Sequence, residues 1–152
     1  MNYYEMLNVD NLATLKDIKV AFLVKLSEVL DEENWENKVL KILNGYFTLT
    51  NFSLRKKYDA MNGKYSGFLL NTSGDNVLSI DEELREEAQF SQLVIDNLKL
   101  ILNKFTKNIF KSAKALDVLN KLTQIYKQEM TILNFYYESL KKEELKRYKI
   151  YK

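Results

Sequence analysis

The chain of 152 residues has no cysteine, no histidine, no proline and only four glycines. Each shortage removes a class of chemistry or structure. Without cysteine there are no disulfides and no thiolate nucleophile, and nothing argues for an oxidising compartment. Without histidine the commonest general base and the commonest transition-metal ligand are both missing. Without proline, a helix runs on wherever its apolar pattern supports it. Long apolar runs are also lacking: no stretch approaches the roughly 18 residues of a spanning helix. The start, Met1-Asn2-Tyr3-Tyr4-Glu5-Met6, has neither the basic opening nor the apolar core of a secretory signal. The cytoplasm is therefore the expected compartment, and no catalytic, cofactor-binding or metal-ligating constellation is expected.

An excess of charge of one sign is lacking too. The net charge is +2, divided as −1 over residues 1–63 and +3 over residues 64–152. That balance gives no electrostatic reason to expect nucleic acid as the main partner. What is present is 46% hydrophobic and 29% charged residues, the composition of a folded globular chain. Its length suits one ordinary domain or two small ones.

The apolar spacing is helical throughout. Tyr3 to Val9 reads as a short helix with Tyr4, Leu7 and Met6 turned inward. Thr14-Leu15-Lys16-Asp17 has the form of a capping box, and Ile18, Ala21, Phe22, Leu26, Val29 and Leu30 follow at spacings of three and four. After the acidic connector Asp31-Glu32-Glu33-Asn34, a second amphipathic run carries Val39, Ile42, Leu43, Tyr46, Phe47 and Leu49. Gly45 lies inside it, where glycine costs about 1 kcal/mol against alanine, which predicts a close helix contact. Ser53 is the expected cap of a last short helix over Arg55 to Met61. The first domain is thus placed at 1–62.

Residues 63–78 read as a linker rich in Gly, Asn, Ser and Thr, with Phe68, Leu69 and Leu70 expected to pack down. Ser79-Ile80-Asp81-Glu82 is a second capping-box match and opens a domain over 79–152. One helix across it would be roughly 100 Å long at about 1.5 Å per residue, so an antiparallel hairpin is expected, turning within Thr106 to Lys114. A second bend near Thr131 to Asn134 would make it a three-helix bundle instead.

Four fragments in the first domain are similar to the marks of the J-domain, the helical module through which co-chaperones engage DnaK-type chaperones. They are Tyr3, Tyr4, Leu7 and Val9; Ile18, Lys19, Ala21 and Phe22; Ile42, Tyr46 and Leu49; and Arg55, Tyr58 and Asp59. The resemblance covers residues 2–59. It implies an all-α fold, with a J-like N-terminal domain preceding the long helical hairpin or bundle. One part of the family pattern is missing. J-domains trigger their chaperone through a His-Pro-Asp tripeptide between the second and third helices, and here that loop is acidic in a chain without His or Pro. The basic second-helix face of the family is thin as well: Lys16, Lys19 and Lys25 remain, but Leu23 and Val24 stand where basic residues are frequent.

The expectation is a degenerate J-like module, an adaptor or regulator without enzymatic activity that leaves chaperone ATPase unstimulated. Its partners would be a DnaK-type chaperone, an active J-protein or a larger assembly. The alternative is a scaffold subunit that joins an assembly, or a homo-oligomer, through its C-terminal helices. The candidate partner surface is Lys16, Lys19 and Lys25, then Arg55-Lys56-Lys57, then the aromatic run Phe135-Tyr136-Tyr137, which one helix face cannot bury whole. The basic end Lys146 to Lys152 reads first as a complement to the helix dipole, and second as a contact for nucleic acid or anionic membrane.

Overall fold

Local signals set the helix ends. The computed structural model describes residues 2–63, 79–106 and 112–150, and every regular element among them is a helix. Asn2 caps α1 (Tyr3–Leu7) by accepting the Glu5 N–H at 2.8 Å, and Asn8 stops it in the left-handed region at φ 59°. Asparagine tolerates that conformation better than most residues. The capping box predicted for α2 (Leu15–Val29) is present in both directions: Thr14 Oγ1 accepts from Asp17 N–H at 3.1 Å, and Asp17 Oδ2 accepts from Thr14 N–H at 3.0 Å. Asn34, at φ 57°, turns the chain into α3 (Trp35–Leu49). The cap of α4 (Phe52–Met61) is a correction. Asn51 accepts the Leu54 N–H at 3.0 Å, and Ser53 lies inside the helix.

These four helices form one unit. The facing stripes of α2 and α3 bury Ile18, Phe22, Leu26 and Val29 against Val39, Ile42, Leu43, Tyr46 and Leu49. Phe22 and Tyr46 rings meet at 4.2 Å. α1 lies across both helices, and α4 packs on α3. The close contact expected at Gly45 is there: a Cβ on Gly45 would stand 2.8 Å from Met6 Cε and 3.3 Å from the Tyr3 ring. Residues 112–118 also belong to this unit, where Lys114 Nζ donates to Asn37 Oδ1 at 2.8 Å. They fall within the range 79–152 expected of the second domain.

The second unit holds α5 (Ile80–Thr106) and α6 (Ala113–Ile150) from residue 119 onward. Ser79 Oγ accepts the Glu82 N–H at 3.2 Å, and the acids Asp81, Glu82 and Glu83 occupy the first turn, where the dipole favours them. Ala88, Ile95 and Leu133 form a buried cluster with Tyr126, Met130 and Tyr136 against it. The helices are antiparallel, since Asp81 at the start of α5 pairs with Arg147 near the end of α6. The three-helix alternative is overturned, because α6 runs unbroken through 131–134. Thr131 keeps its place there by returning its hydroxyl to the Lys127 carbonyl at 3.1 Å. α5 ends at Thr106 and α6 opens at Ala113, where Ser112 Oγ accepts the Ala115 N–H at 3.0 Å; most of the window expected to hold the turn lies outside the described residues. The packing expected of Phe68, Leu69 and Leu70 lies outside the described residues.

Candidate interaction surfaces

The family-like residues at the two ends of the first unit meet in one buried polar contact. Arg55 and Asp59, one turn apart on α4, are 0% and 1% exposed. The Tyr4 hydroxyl donates to Asp59 Oδ1 and accepts from Arg55 Nε, the latter at 2.9 Å. A second guanidinium nitrogen of Arg55 donates to the carbonyls of Asn11 and Ala13 at 3.0 and 2.7 Å, pinning the connector between α1 and α2. Alongside, Tyr58 stacks on Tyr3 at 4.8 Å and accepts the Tyr3 N–H at 2.8 Å. Burial pushes the Tyr4 hydroxyl well above its usual range, and the hydrogen bond to Asp59 pushes it further. This is a structural lock, so Arg55 is corrected: it belongs to the core and not to a partner surface. Lys56 and Lys57 are exposed beside it.

The second-helix lysines do not form one face. Lys19 is only 9% exposed and Lys16 is half-buried, so Lys19 also leaves the expected surface. Lys25 instead turns toward a groove of about 550 Å³ between α1, the end of α2 and the start of α3. That groove is lined by the aromatic and apolar side chains Tyr3, Met6, Val29 and Ile42, by the charged Lys25, Glu32, Lys38 and Lys41, and by Asn44. Glu32 pairs with Lys38 and Lys25 with Glu28, the latter at 3.7 Å. Lys38 and Lys41 escaped the sequence reading. Their spacing of three puts them on one helix face, but only the fold sets that face opposite Lys25. The connector Asp31 to Asn34, which gives Glu32 to the groove, is exposed.

The aromatic run divides as helical geometry requires, since successive residues point about 100° apart. Tyr136 turns into the second unit's core, while Phe135 (65% exposed) and Tyr137 (44%) face outward. Burial raises the Tyr136 hydroxyl pKa, with the charges of Glu87 and Glu129 adding to it. The basic end is partly engaged: Arg147 pairs with Asp81, and Lys141 and Lys146 with Glu138 and Glu143. Such pairing takes up charge that the sequence left open for phosphates. Among the described residues, no group of three His, Cys, Asp or Glu side chains is placed to hold a metal ion, and no helix is long and apolar enough to cross a membrane. No family model, curated protein or solved structure matches this chain.

Proposed function

We propose that the chain is a non-enzymatic protein–protein interaction module: a degenerate J-like frame, working in the cytoplasm as a co-chaperone-related adaptor or regulator. It binds a DnaK-type chaperone or an active J-protein and leaves the chaperone's ATPase unstimulated. The observation that carries the reading is a contrast within one unit. Tyr4, Arg55 and Asp59, three residues of the J-like pattern from opposite ends of residues 2–59, join in a single buried contact. The exposed connector where that family keeps its trigger is Asp31-Glu32-Glu33-Asn34. An acidic connector repels an acidic chaperone surface and has no imidazole or proline to replace the tripeptide. The test is capture by the immobilised chain of a purified DnaK-type chaperone and of an active J-protein. Binding of at least one is expected; binding of neither overturns the reading.

A scaffold subunit is the second reading, favoured by the outward rings of Phe135 and Tyr137. It requires self-association or a stable partner that Phe135→Ala with Tyr137→Ala releases. Light scattering that finds a monomer, together with an unchanged partner set for that variant, removes it.

A further inference from the structure

A hollow of about 620 Å³ lies between the connector joining α1 to α2 and the outer face of α2, and it shares no residue with the groove. We infer that it receives a basic amphipathic helix of a partner protein. This rests on the interaction-module reading and supplies the partner's chemistry. Leu12 and Val20 line the hollow, and Val24 continues it one turn along α2; each is about half exposed. Single exposed apolar residues are ordinary, but a run of three on one surface marks a contact site. Val9, Ala13 and Ala21 complete the apolar lining.

Charge selects the occupant. Every charged side chain in the lining is a carboxylate: Asp10 and Asp17, both exposed. Asp10 accepts the Leu12 N–H at 2.8 Å and Asp17 the Thr14 N–H at 3.0 Å, and neither makes an ion pair with another described residue. A carboxylate has lone pairs for several donors, so these caps leave it able to meet a lysine or arginine. The surrounding charges do not reverse the sign. Glu28 follows Val24 by one turn on the same face, and the connector acids Asp31, Glu32 and Glu33 lie beyond it. Lys16 is half-buried and already engaged, Lys19 is nearly buried, and Lys25 turns to the groove and pairs with Glu28. Arg55 is buried beneath the connector and held by Tyr4, Asp59 and the carbonyls of Asn11 and Ala13, while Lys56 and Lys57 do not line the hollow. An acidic segment would be repelled, and a wholly polar basic one would leave Val20 and Val24 wet.

The experiment is fluorescence anisotropy on the full chain, with a labelled helical peptide whose leucines recur at spacings of three and four between lysines. Two control peptides replace the lysines with glutamate or the leucines with serine. Saturable binding of the first peptide alone is expected. Val20→Lys should weaken it about tenfold, and Asp10→Asn with Asp17→Asn, which keep their cap acceptors, about threefold. Glu33→Gln should leave it unchanged at about 0.1 M salt: it lies past the far end of α2, a helix roughly 20 Å long, and surface charges are screened beyond about 10 Å. Circular dichroism confirms that each variant is folded. No binding of the first peptide, equal binding of either control, an affinity indifferent to either change in the hollow, or an equal loss with Glu33→Gln overturns the assignment. So does a chain that light scattering finds dimeric and that Val20→Lys makes monomeric, since a second copy then fills the hollow. No chaperone or J-protein enters this assay, so its failure is distinct from failure to capture one.

Discussion

The two units close their helices by different means. The first draws its ends together with a buried guanidinium, a carboxylate and a phenol, joining residues 55 positions apart in sequence for Tyr4 and Asp59. The second closes over a stripe of apolar contacts, Ala88, Ile95 and Leu133 with half-buried Tyr126, Met130 and Tyr136, beside the buried Glu129 carboxylate, and pairs Asp81 with Arg147 across its open end. A stripe spreads its stabilisation over many interchangeable contacts. A buried charge cluster concentrates it, because each partner left behind is a desolvated charge. The first unit therefore depends on a few irreplaceable residues in addition to its apolar α2–α3 core.

The largest effect should come from breaking that concentration. Asp59→Ala leaves the Arg55 guanidinium buried without its carboxylate, and a cost of about 3–5 kcal/mol is expected. Urea unfolding followed by the fluorescence of Trp35, the single tryptophan, reads it in the first unit. A loss below about 1 kcal/mol would remove the lock as the device that closes the unit. In the second unit, Ile95→Val removes one methylene from the stripe and should cost about 0.5–1.5 kcal/mol, read by circular dichroism. A loss as large as that of Asp59→Ala would erase the difference between the units.

The smallest effect is in alkaline pH. Tyr4 and Tyr136 both have hydroxyl pKa values raised in the folded state, each chiefly by burial. Below about pH 10, the ordinary tyrosine value, the stability linked to each neutral hydroxyl is fully present. As pH rises past it, the unfolded chain releases these protons while the folded chain keeps them, so stability falls toward the folded pKa. Tyr136→Phe should flatten this decline in the circular dichroism signal and leave the Trp35 signal's decline unchanged. Equal slopes with and without the substitution would show that Tyr136 stays accessible to solvent.

Much of the frame was legible because it is written in local signals. Thr14 with Asp17 fixed the start of α2, spacings of three and four gave the inward faces of α2 and α3, and Gly45 marked a close approach. Where two local signals competed, the order was lost: Asn51 rather than Ser53 caps α4. Thr131 and Asn134 looked like a bend, but neither blocks a helix with packing on its apolar face. The surface was less legible. Arg55-Lys56-Lys57 reads as one basic run, yet its first member is the largest of the fully buried side chains. The i, i+4 spacing of Arg55 and Asp59 was the available clue, and only the arrival of Tyr4 makes it a core contact. The groove brings residues from three helices together, a tertiary fact with no trace in any single segment.

Binding without triggering is the central claim, and single-turnover ATP hydrolysis by a DnaK-type chaperone in the presence of saturating chain tests it most directly. The expected rate is that of the chaperone alone, because the exposed acidic connector carries no trigger. A rate accelerated toward that given by an active J-protein would contradict it.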